Sequence, residues 1–123
     1  MFEILAWLLV KHFVCDFPLQ SHPFLRSHKG DYGALGGICH ALIQGAGTLL
    51  VLILLPGIDL ETSLQFAALD TIIHYHIDWS KMSLNKKMGW GPTTGDKFWI
   101  LLGFDQFLHH MTYVLIAYLI MTV

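Results

Sequence analysis

Charge is what this sequence has least of. Aspartate, glutamate, lysine and arginine make up 13% of its 123 residues, about half the share of a soluble domain. Hydrophobic residues make up 54%, and the mean hydropathy is +0.56. Such a composition points to a membrane protein of one domain. The net charge is −2, with no run of basic residues and no aromatic-interleaved basic patch, which excludes a nucleic-acid partner. Cysteine is also scarce. Cys15 and Cys39 both fall in apolar segments, too few for a disulfide framework, so they read as small buried thiols. The first residues, MFEILAWLLV, lack the basic n-region and small-residue cleavage site of a signal peptide. They are expected to remain as a first span. No internal repeat or low-complexity linker is present.

What the chain does have is four apolar segments, at about 2–19, 34–55, 60–79 and 98–123. Each is near the ~20 residues that cross a bilayer as a helix. The expectation is an all-α, antiparallel four-helix bundle within the membrane. The connections differ in charge. The first, 20–33, carries Arg26 and Lys29, and the third, 80–97, carries Lys81, Lys86, Lys87 and Lys97. The second, 56–59, is a tight turn without lysine or arginine. The positive-inside rule then puts the first and third loops in the cytoplasm and both termini outside. The expected location is the inner membrane, multi-pass, with the lipid bilayer as partner. A homo-oligomer is left open by the sequence.

The scarce ionisable residues are not scattered. His12 and Asp16, His74 and Asp78, and Asp105 and His109 are three histidine–aspartate pairs at i and i+4. That spacing stacks both side chains of a pair on one helix face. His40, followed by Gln44, is the contribution of the second segment, and the stripes extend to Gln20, Lys81 and Thr112. In an antiparallel bundle all seven residues fall at one level, toward the cytoplasmic side. An aspartate at the centre of a span costs roughly 2.5–3.5 kcal/mol. Asp16, Asp70, Asp78 and Asp105 unpaired would cost about 10 kcal/mol together, and Lys11 and Lys81 could neutralise two. Imidazoles grouped with carboxylates suit a divalent metal such as Zn²⁺, Mn²⁺ or Fe²⁺. Seven candidates (His12, Asp16, His40, His74, Asp78, Asp105 and His109) exceed one tetrahedral site, which leaves room for two ions or for one ion with outer carboxylates. The plain alternative is interhelical hydrogen bonding or ion pairing that fixes the bundle.

Other residues have simpler readings. His76 falls opposite the His74 face, His22 and His28 are loop residues, and His110 is offset from His109. Glycines 33, 36, 37, 45 and 47 permit close helix contact. Trp79, Trp90 and Trp99 read as interfacial anchors. Lys81 either snorkels or meets an anionic substrate. Lys11, within a span, pairs with a carboxylate such as Asp70 or contacts a phosphate.

Three motifs carry a resemblance: K-H-F-x-x-D-F-x-L-Q at 11–20, H-x-x-x-D-W-x-K at 74–81 and F-W-x-x-x-x-x-D-Q-x-x-H at 98–109. Together they resemble the domain-of-unknown-function family 3307, small membrane proteins of bacteria and phages. That family implies no activity. In layout alone the chain is remotely similar to small membrane-bound metal-dependent hydrolases. The leading expectation is therefore a membrane metal-dependent hydrolase acting on a phosphoester or lipid-like substrate, with Asp70 as general base and Lys81 or Lys11 steadying negative charge. The alternatives are a metal-ion or proton transporter, and a non-enzymatic phage or bacterial membrane protein with a structural metal or polar cluster. Haem ligation is disfavoured by the many aspartates.

Overall fold

The computed structural model describes residues 1–123, as five α-helices and no strand: α1 Phe2–Asp16, α2 Pro23–Arg26, α3 Leu35–Leu54, α4 Leu60–Met88 and α5 Asp96–Thr122. A 3-10 turn at Leu19–Ser21 follows α1.

Two boundaries depart from the sequence expectation, each for a local reason. α1 ends at Asp16 rather than near residue 19, because Pro18 has no N–H to continue the hydrogen-bond ladder. Phe17, the C-cap at φ −114°, ψ −76°, still donates its N–H to the Phe13 carbonyl. α4 continues past Trp79 to Met88. Residues 80–88 contain neither glycine nor proline, so nothing stops the helix until Gly89. There the backbone turns left-handed at φ 69°, and the N–H groups of Gly89 and Trp90 both reach the Asn85 carbonyl. Glycine takes that conformation without a Cβ penalty. The third connection is thus 89–95, not 80–97. At its start α4 is capped by Asp59, whose carboxylate accepts from the Thr62 N–H at 2.9 Å and from the Thr62 hydroxyl at 2.7 Å.

The four long helices close a ring in which α3 packs on α1 and α4, and α5 packs on α1 and α4. Rising numbers in one helix meet falling numbers in the next: Lys11 meets Gln44, and Asp16 meets His40. Gly45 sets the closest approach. A Cβ there would collide with the Thr71 hydroxyl and the Ala67 carbonyl of α4. Gly33 instead serves a turn, at φ 84° with open space around it.

The interior is polar and the exterior is not. Of 28 buried residues, fifteen are polar or charged, while Phe2, Trp7, Phe13, Leu54, Ile100 and Met121 are exposed. The apolar core is one plug of seven residues, Ile4, Leu8, Leu52, Phe66, Tyr113, Ile116 and Ala117, at the end of the ring where both termini lie. Two helices, Leu35–Leu54 and Asp96–Thr122, are long and apolar enough to cross a membrane. α1, with 15 residues, spans about 22 Å, less than the ~30 Å hydrocarbon core. α4 is long enough but carries Asp70, His74 and Asp78.

Candidate metal centre

α1, α3 and α4 each send a stripe inward at the same level, and four donor atoms meet there. Asp16, His40, His74 and Asp78 are all buried, with one ligand atom of each within 4.8 Å of the others. His40 Nε2 lies 2.9 Å from Asp16 Oδ1, 3.1 Å from His74 Nε2 and 3.3 Å from Asp78 Oδ2. His74 Nε2 lies 3.3 Å from the same two carboxylate oxygens. α5 supplies a second group, Asp105 and His109, that shares Asp78. His109 Nε2 is 3.2 Å from Asp78 Oδ1 and 3.5 Å from Asp105 Oδ1. Asp78 therefore offers one oxygen to each group, the arrangement of a bridging carboxylate.

The geometry fits a metal ion. A tetrahedral site with ~2.0–2.1 Å bonds has ligand–ligand edges of about 3.4 Å. The five separations just given within the first group run from 2.9 to 3.3 Å. Two imidazoles and two carboxylates suit a first-row divalent ion. The second group has three ligands and so leaves positions open. In one respect the centre is unusual. Metal-bound imidazoles commonly donate their other N–H to an outer partner, yet Nδ1 of His40 and of His74 is buried without one. Ring contacts surround His74 instead: it stacks on the His109 ring at 4.0 Å and meets the His40 ring at a tilt, 5.0 Å between centroids.

His12, expected as a ligand, stands outside both groups. Its Nε2 is 3.6 Å from Asp16 Oδ2, but its near partner is Gln106 Oε1 at 2.9 Å. Gln106 Nε2 donates to Asp16 and Asp105, which fixes its oxygen as an acceptor. His12 must then carry its proton on Nε2 and accept at Nδ1 from the Tyr113 hydroxyl, 3.1 Å away. The structure brings the other six expected ligands together.

Lysines surround the centre. Lys81 Nζ pairs with Asp105 Oδ2 at 3.1 Å. Lys29 reaches in from the 27–34 connection to bind Asp78 Oδ2 at 2.6 Å. With its amide oxygen toward Lys29 (2.7 Å) and its nitrogen toward the Asp16 carbonyl (2.8 Å), Gln20 holds that ammonium in place. Lys11 does pair with Asp70, at 2.9 Å, and also meets Gln44 Oε1 at 3.0 Å and Tyr113 at 3.2 Å. Asp70 accepts from Thr48 as well. This second polar layer lies between the candidate metal centre and the apolar plug. It joins the centre through Gln44, whose Nε2 donates to Asp16 Oδ1 at 3.0 Å. Asp70 and Lys11 are thus engaged with each other and do not enter either ligand group.

Three lysines, not two, neutralise the buried aspartates. Lys29 was missed because a loop cation has no periodicity to reveal where it points. Gln106, Tyr113 and Thr48 were also missed. Thr48 lies one turn beyond Gln44 and Tyr113 one turn beyond His109, so a longer extension of those stripes finds both. His76 and His110 are exposed, and His76 bonds Tyr32 at 3.0 Å. His22 accepts from the Phe24 N–H at the start of α2.

Over residues 4–123 the chain matches the family described as "Protein of unknown function (DUF3307)". It belongs to that family. Comparison with curated proteins and with solved structures finds no match, so the remote likeness to membrane hydrolases has no support from that side.

Proposed function

We propose that this protein is an integral membrane metal-dependent hydrolase acting on a phosphoester or lipid-like substrate at the cytoplasmic face of the inner membrane. All four long helices would then sit in the bilayer, with the buried ionisable side chains of α1 and α4 turned into the interior of the ring. The inverted distribution of polarity supports this, since exposed apolar side chains suit lipid and buried ionisable groups suit a lined interior.

The observation that carries the reading is the convergence of His40 and His74 Nε2 with one oxygen each of Asp16 and Asp78. Asp16, His40, His74 and Asp78 would hold one ion, and Asp78, Asp105 and His109 a second. A divalent ion there supplies Lewis acidity toward a phosphoryl or ester oxygen and lowers the pKa of water. The chain's own residues do the rest. Lys81, beside Asp105, stands where developing negative charge on a substrate needs a cation. Asp105 Oδ1 is buried with no hydrogen-bond partner, which leaves it free to ligate the second ion. Gln106 and His12 hold Asp16 and Asp105 in place. The apolar plug closes the far end, so water and substrate enter from the loop side.

The test is elemental analysis of the protein purified without chelator, followed by phosphoesterase and esterase assays. Near-stoichiometric zinc, manganese or iron is expected, and its absence after gentle purification defeats the proposal. A second reading, a polar core that only locks the bundle, draws on the three lysine–aspartate pairs, which neutralise Asp70, Asp78 and Asp105 without metal. It predicts a metal-free protein of full stability. Transport finds less support, because the seven-residue plug interrupts any polar path.

A further inference from the structure

Between α4 and α5 runs a groove of about 550 Å³, walled by Ile73, Ile77, Leu101 and Leu108 among others. Two of its lining residues are oppositely charged, Lys81 and Asp105. A smaller cavity of about 380 Å³ continues it toward the 89–95 connection, sharing Leu84, Leu101 and Phe104 and adding Lys97. The groove is therefore polarised along its length. Ile73 and Leu108 form an apolar floor, and Lys81 lies about 12 Å further along α4, with Lys97 beyond.

We infer that this groove seats a membrane-dissolved single-chain amphiphile with a phosphate head, its tail on the isoleucine and leucine walls and its phosphate at Lys81. The inference rests on the hydrolase reading for its biological sense, but not for its physics. Lipid tails are as apolar as leucine, so the tail alone selects nothing within a bilayer. The head must supply recognition. Lys81 gives one of its three N–H donors to Asp105 at 3.1 Å, and Lys97 adds a second ammonium that no further carboxylate lining the two cavities matches. The cationic excess fits an anion. Phosphate offers several strong acceptors to an ammonium, and from Lys81 it would lie beside Asp105 of the open, three-residue group. A cavity of this size holds one drug-sized ligand, hence one chain rather than two.

The experiment is native mass spectrometry of the whole chain in neutral detergent with chelator present, titrated with dodecyl phosphate. Dodecanol supplies the tail alone and inorganic phosphate the head alone. Dodecyl phosphate is expected to bind at least tenfold more tightly than either. Lys81→Gln should weaken it about tenfold or more, the usual range for a hydrogen bond to a charged group, and Ile73→Trp should weaken it similarly by filling the floor. If Lys81→Gln does not fold, Lys97→Gln at the exposed lip should still weaken binding severalfold. Dodecanol binding as tightly as dodecyl phosphate overturns the inference, as does undiminished binding by Ile73→Trp. Because the titration is metal-free, phosphate-amphiphile binding by a protein that never carries metal would defeat the hydrolase and leave the groove. A metal-loaded protein that ignores dodecyl phosphate would do the reverse.

Discussion

The Nε2 atoms of His40 and His74 lie 3.1 Å apart, on two different helices, with a carboxylate oxygen on either side. Only one of these nitrogens can donate to the other, and each ring's Nδ1 is buried with no partner. A core built only for stability would have little use for this arrangement, since buried polar groups are normally satisfied. A cation at the centre of the four atoms explains it. His40→Ala and His74→Ala are each expected to weaken metal binding by more than the 10–100-fold that loss of an outer partner causes. Asp78→Asn should affect both ions, where His109→Ala affects one. Metal content after dialysis against a weak competitor reads this out, and wild-type content in both histidine variants would contradict it.

Lys29 and Lys86 make a controlled comparison. Lys86 pairs with Asp31 at 2.8 Å on the exposed surface, and Lys29 pairs with Asp78 at 2.6 Å in the interior. Removing the exposed cation, Lys86→Ala, should leave the melting temperature at its wild-type value, because solvent screens such pairs. Lys29→Met takes from buried Asp78 its one lysine partner, and breaking a buried ion pair typically costs about 3–5 kcal/mol. Asp78 Oδ2 also faces His40 and His74, so Lys29 competes with a metal for that oxygen. Added Zn²⁺ or Mn²⁺ should therefore restore much of the stability lost in Lys29→Met. Thermal melts with and without metal test this, and a loss indifferent to metal would be evidence against the centre.

Lys11 and Asp70 are expected to behave as a unit. Lys11→Met alone strands a carboxylate that is 1% exposed, again at about 3–5 kcal/mol. Combining it with Asp70→Leu removes the stranded charge, so the double variant should be more stable than Lys11→Met alone. Denaturant titration of the two single variants and the double variant gives the coupling. Simple additivity would mean that the pair contributes no net interaction.

The polar level was legible because helical spacing is a strong signal. Three i,i+4 pairs, with His40 added from the second segment, bring seven expected ligands to one level, and six of them meet in the structure. His12 failed that test for a reason spacing cannot contain. Its ring shares a face with Asp16, but Gln106 arrives from α5 and takes its Nε2. The Lys11–Asp70 pair was anticipated from the cost of isolated buried charge. The inward reach of Lys29 was not, since it depends on how an irregular connection folds over the bundle. The boundary of α4 was misjudged for a related reason. Polar residues 80–88 looked like a loop, although polarity by itself does not break a helix and Gly89 does.

Gly45 is where backbone packing fixes the level of the centre. It sits on α3 one turn beyond Ala41 and just after Gln44, against Thr71 and Ala67 of α4. Gly45→Ala adds a methyl where the Thr71 hydroxyl already lies, and overpacking of this kind costs about 1–3 kcal/mol. It should also separate His40 from His74, so stability and metal affinity are expected to fall together. Adding Thr71→Ala removes the hydroxyl and should recover part of both. The recovery stays partial because the Ala67 carbonyl remains 3.0 Å from the new methyl position. Gly103 supplies the control: a Cβ there meets nothing within 4 Å, so Gly103→Ala should be neutral or mildly stabilising in a helix. Equal behaviour of the two alanine variants would show that the α3–α4 contact does not set the geometry of the ligands.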